Sequence, residues 1–145
     1  MEALVDSRQK ELNPFEIVVS ALPRMNVPYP MDVALPAVVT ELSQENAEVQ
    51  KIGNTLFLVL KGKDGQGFFK AYNADIPPNF VRNSKEFCVW AKEDLGMNLL
   101  VTDFKGKEIS QLFEVIARNP PLEGMGYKEY RTEDGGTRIV LNLGE

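Results

Sequence analysis

Between Gly96 and Gly106 lies Asn98-Leu99-Leu100-Val101-Thr102-Asp103-Phe104, a short apolar run with a strongly helical pattern on each side. A run of that length bounded by glycines reads as a strand, and one this apolar must be covered on both faces. Helix, buried strand, helix is the order of a crossover unit in a sheet that is at least partly parallel. From Ser84 to Leu143 the chain reads as helix, strand, helix and hairpin, so the residues upstream must supply the rest of the sheet.

Ser84 is expected to cap the first of these helices, which runs through Leu95 with Phe87, Trp90, Ala91 and Leu95 toward the sheet, and Gly96 supplies a left-handed ending. In the second helix Ile109, Leu112, Phe113, Ile116 and Ala117 recur at helical spacing until Asn119-Pro120-Pro121 stop it. Gly126 to Thr132 and Thr137 to Leu143, joined by Glu133-Asp134-Gly135-Gly136, make the closing hairpin. Upstream, Glu48 to Ile52, Thr55 to Lys61 and Gly67 to Asn73 are separated by Gly53-Asn54 and by Gly62-Lys63-Asp64-Gly65, which predicts an antiparallel meander. Its middle strand, Leu56-Phe57-Leu58-Val59-Leu60, is apolar throughout and is expected to be central. The crossover then places Leu99 to Phe104 beside Gly67 to Asn73 and parallel to it.

Residues 1–45 have a different character. Asn13-Pro14-Phe15-Glu16 has the chemistry of a helix start: a cap, a proline in the first turn and a glutamate that can bond back. Phe15, Val18, Val19 and Leu22 would then share a face, although Ile17-Val18-Val19 also suits a strand over Glu16 to Ala21. Pro23, Pro28 and Pro30 make the segment from Leu22 to Met31 an extended connector, either a binding arm that presents Val27, Tyr29 and Met31 or a crossing packed on its own domain. After Pro36 a short amphipathic helix is expected from Leu35, Val38, Val39 and Leu42. The expected organisation is a single α/β (α+β) domain over 1–145, with residues 1–45 helical and proline-rich and residues 46–145 the sheet core.

Composition excludes several function classes. Cys88 is the only cysteine and there is no histidine, which removes an intramolecular disulfide, the usual zinc sets and every histidine-based catalytic scheme. Cys88 itself reads as a small core residue. The net charge of -5 disfavours nucleic acid, because phosphate binding rests on Lys and Arg. The densest basic stretch, Lys61-Gly62-Lys63, reads as a solvated turn. No apolar run reaches the length of a membrane span, and Met1 to Arg8 lack an apolar leader, which points to the cytoplasm.

A meander, helix, strand, helix and terminal hairpin, with Gly126-Tyr127-Lys128-Glu129-Tyr130 opening the last pair of strands, resembles the GNAT-type N-acetyltransferases over Glu48 to Leu143. The resemblance implies a GNAT-like mixed sheet with an antiparallel N-terminal meander, a βαβ crossover and a C-terminal hairpin. It also implies a loop that holds the pyrophosphate of acetyl-CoA, of the form Arg or Gln, two residues, Gly, one residue, Gly or Ala, at the start of the helix after the third meander strand. Such glycines let backbone N–H groups approach the phosphates. The nearest frame is Arg82-Asn83-Ser84-Lys85-Glu86-Phe87, in which Lys85 and Phe87 replace the small residues and Arg82 is the candidate anion ligand. Many members place a tyrosine as proton donor where this chain has Leu122. Among carboxylates, Asp75 and Asp103 are the candidates for catalysis, each competing with a turn or capping role.

With the cofactor loop altered, the sequence points to a non-catalytic GNAT-like structural or interaction protein without metal or cofactor, whose partners are other proteins. Its proline-rich arm and altered loop resemble degenerate domains among tailed-bacteriophage virion and accessory proteins, which implies virion proteins as partners and the host cytoplasm or the virion as its place. The alternative is an acyl-CoA-dependent N-acetyltransferase that uses acetyl-CoA through an atypical loop.

Overall fold

The computed structural model describes residues 11–25, 29–104 and 108–144. Helix α1, Pro14–Ala21, begins as its sequence dictates: the Asn13 side chain accepts from the Glu16 N–H at 2.8 Å, and the Glu16 carboxylate accepts from the Asn13 N–H at 3.1 Å. The buried residues are Ile17, Val18, Ala21 and Leu22, whereas Phe15 is 61% exposed. The expected face is therefore rotated. Phe15 is held in the first turn beside the cap, on the side that the chain leaves to solvent. Leu22–Arg24 continue as one 3-10 turn, which corrects the fully extended connector: Pro23 sits within its first turn, where no N–H is needed. Helix α2, Met31–Leu42, starts five residues before Pro36. Pro30 caps it, and Pro36 lies inside at the cost of one intrahelical bond.

Strands β1 (Ala47–Ile52), β2 (Thr55–Lys61) and β3 (Gln66–Asn73) form the expected antiparallel meander. Helix α3, Pro77–Glu93, then crosses to β4, Leu99–Phe104. Strand β4 lies beside β3 and parallel to it, as the crossover requires. Helix α4, Glu108–Arg118, leads to β5 (Gly126–Arg131) and β6 (Thr137–Asn142), and β6 inserts between β4 and β5. The result is one mixed sheet in the order β1-β2-β3-β4-β6-β5. The α4 side chains of Ile109 and Leu112, expected on its inner face, fall outside the described residues.

Alternation along the strands sorts the side chains into two layers. Phe57, Val59, Phe69, Leu100, Ile139 and Leu141 meet Phe87, Cys88 and Ala91 of α3 and Phe113 and Ile116 of α4. On the opposite face Leu56 and Tyr72 pack with Ile17, Val18, Ala34 and Val38 of α1 and α2. Trp90, expected inside, is half-buried at the edge of the first layer. No helix among the described residues is long and apolar enough to cross a membrane.

Candidate functional site: the cleft between β3 and β4

The parallel ladder between β3 and β4 is short: Gln66 pairs with Leu99, Gly67 with Leu100 and Phe68 with Val101, and there it ends. Beyond these pairs the strands part toward their C-terminal ends, the place where parallel sheets of crossover units commonly receive ligands. A cavity of about 120 Å³ fills the parting, lined by Phe57, Phe69 and Ala71 from the meander, Phe80, Ser84, Phe87 and Cys88 from α3, and Thr102 to Phe104 from β4. Its volume is close to the roughly 150 Å³ of an apolar cavity that holds benzene. Met25, at the end of the 3-10 turn, also lines it, so the N-terminal connector reaches the cleft.

Few ionisable groups face this cavity. Asp103 lines it, but its two oxygens take a bidentate bond from Arg138, Nε at 2.7 Å and Nη2 at 2.8 Å, across directly paired positions of β4 and β6. That pair engages both Asp103 oxygens; the lead-in to the following helix, which Asp103 is expected to cap, lies outside the described residues. Lys70 is tied to Glu41 at 3.0 Å. Cys88 lies at the wall with its thiol pushed up to about 12 by burial. Its folded value thus lies above the ordinary 9.0, so its contribution to stability is complete below pH 9.0 and is lost as pH rises toward about 12. We expect iodoacetamide to leave Cys88 unmodified at neutral pH in the folded protein and to label it once urea unfolds the chain; rapid native labelling would show an open cleft.

Asp75 does not line the cavity. It is buried, and its Oδ2 accepts from the Asn54 N–H at 2.8 Å and from Asn83 Nδ2 at 2.7 Å. Asn83 also donates to Thr55 Oγ1, which itself donates to Asn73 Oδ1. Asp75 therefore ties the β1–β2 turn to α3. Arg82 sits on the exposed side of α3 and donates to Asn79 Oδ1 at 2.8 Å. Of the proposed partner residues, Tyr29 is 56% exposed and Met31 37% exposed, and Val27 lies outside the described residues.

The frame Arg82 to Phe87 is not a loop. It occupies interior turns of α3, with Asn83 and Ser84 buried, so Ser84 is no cap. The helix begins at Pro77-Pro78 on Ile76 as cap. A helix start binds a pyrophosphate through outward N–H groups, and the first two positions here have none. The residues at that place do not fit the acetyl-CoA pyrophosphate. The signal was present in the sequence as the proline pair, whose usual place is the first helical turn. Among the described residues no group of three or more metal-ligating side chains gathers.

No protein-family model and no curated protein sequence matches the chain. Solved structures do. A variant of the spermidine N-acetyltransferase SpeG of Vibrio cholerae superposes with a TM-score of 0.60 at 10% identity, over 92% of this chain and 94% of that one. The N-acetyltransferase PseH of Campylobacter jejuni in complex with acetyl coenzyme A gives 0.55 at 13% identity, with the same 92% and 94%. An acetyltransferase of Streptococcus agalactiae gives 0.55 at 14%, again over 92% and 94%. At such identities the likeness is one of architecture: the chain has the fold of the GNAT-type N-acetyltransferases.

Proposed function

We propose that this chain is a GNAT-fold protein that serves as a non-catalytic interaction domain. The observation that carries the reading is the start of α3, where Pro77 and Pro78 remove the N–H groups that a pyrophosphate needs. The ionisable groups that line the cleft with Asp103 are Lys70, tied to Glu41, and the buried Cys88, and the Asp103 carboxylate is already bonded to Arg138. On this reading the connector from Leu22 to Met31 carries the partner contact, with Val27, Tyr29 and Met31 as anchors. The finer assignment to a phage virion or assembly component rests on sequence resemblance alone.

A second reading, an acyl-CoA-dependent N-acetyltransferase with an atypical cofactor loop, is favoured by the splay of β3 from β4 and by the neighbours, which are acetyltransferases. Calorimetric titration of the protein with acetyl-CoA decides between them. The expected result is a Kd of about 1 mM or weaker, equivalent to no more than about 4 kcal/mol of binding. A micromolar Kd would overturn the non-catalytic reading and establish the second as the one to pursue.

A further inference from the structure

We propose that the open face of the sheet over β3, β4 and β6, across the sheet from the cleft, docks an acidic, apolar-anchored segment of a partner protein. Helices α1 and α2 cover this face only over the meander, where Leu56 and Tyr72 are buried. Farther along, a directly paired row crosses five strands: Leu60 to Phe68, Phe68 to Val101, Val101 to Val140 and Val140 to Lys128. Four of the five are large and apolar. Leu60, Val101 and Val140 are half-buried and Phe68 is 36% exposed, so the row forms an apolar floor that no described helix covers. Beside Phe68 the floor deepens into an open basin of about 440 Å³ between Asn46, just before β1, and the β2–β3 turn.

Charge selects the occupant. Lys61 and Lys63 rim the basin and Lys128 ends the row. All three are exposed and have no ion-pair partner among the described residues, against one carboxylate in the basin, Asp64. The neighbouring pairs Asp103 with Arg138 and Lys70 with Glu41 neutralise themselves. A cationic rim on a chain of net charge -5 is a local inversion of sign. It attracts an acidic segment, and it opposes a second copy docked face to face, which would set lysines against lysines.

The test uses a fluorescein-labelled peptide alternating glutamate and leucine, read by anisotropy, with a lysine–leucine peptide as control. Binding of the acidic peptide is expected to fall by about tenfold or more, about 1.4 kcal/mol, in the Lys61→Glu/Lys63→Glu protein and again in Phe68→Thr, and to weaken with added salt. These positions are exposed, so the melting temperature should hold and show that the variants are folded. Absent binding, equal affinity for the lysine–leucine peptide, indifference to the variants, or binding only to phosphatidylserine vesicles would each overturn the proposal. Because the face lies across the sheet from the cleft, its failure would leave the acetyl-CoA titration unaffected.

Discussion

Phe87→Ala is expected to cost about 3 to 5 kcal/mol of folding stability, measured as a drop in the urea midpoint at unchanged slope. The ring is 1% exposed and stacks on Phe57 with centroids 4.3 Å apart and planes within 7°. It also meets Phe69 at 5.4 Å and Trp90 at 6.0 Å, and Phe69 continues to Phe113 at 6.2 Å. Truncation removes the apolar transfer and the ring contacts together. Phe87 already borders the cleft, so the vacated space would join the existing cavity instead of collapsing, which puts the cost toward the top of the range. Trp90→Ala should cost less, because that ring is half-buried at the edge of the layer. Equal costs for the two would mean that the stack around Phe87 is looser than its geometry.

The same helix shows where the sequence could be read and where it could not. Its second half carries an apolar period, Phe87 and Ala91, and that half is legible, although the helix ends at Glu93 and leaves Leu95, expected inside it, in the following turn. Its first half buries polar side chains, Asn83 and Ser84, so hydrophobic periodicity starts two turns late and Ser84 looks like a cap. The meander and the buried β4 were legible because turn residues and apolar runs coincide there with the ladder. Proline misleads twice: at Pro23 a 3-10 turn stands where an extended connector is expected, and Pro36 is the second case. Pro36 was read as a helix start, yet α2 begins at Met31, and a proline inside a helix loses only one bond when packing holds the rest, as Ala34 and Val38 do here. Asp103 was read against its neighbours in sequence, whereas its partner Arg138 lies 35 residues away and is set only by the β4–β6 register. The cleft, too, was hidden: where a parallel ladder stops depends on the packing beneath it, which no local spacing records.

Asp75→Ala should be a second severe lesion, although Asp75 does not line the cleft. Removing the carboxylate takes this acceptor from the Asn54 N–H and leaves the Asn83 amide only Thr55 Oγ1, in a buried site where a lost acceptor costs about 1 to 3 kcal/mol. Little can move in to replace it. Gly53 holds φ at 58°, and a Cβ there would already stand 2.8 Å from the Asn83 amide and 3.0 Å from Asp75 Oδ2, so the turn is packed hard against α3. Asp75→Asn separates charge from hydrogen bonding, because both donors go to Oδ2 and an amide oxygen in that position accepts both. Its expected cost is about 1 kcal/mol or less, the worth of ordinary rather than charge-assisted bonds. If the asparagine variant melts like the alanine variant, the negative charge itself holds the turn. The effect should reach the cleft as well, since Phe80 and Ser84, on either side of Asn83, line it. Hydrogen exchange in the first turns of α3 should therefore rise in Asp75→Ala before the global transition, while β2 keeps its protection. Uniform loss of protection would show that the tie is part of the global core and does not independently set the position of the helix start.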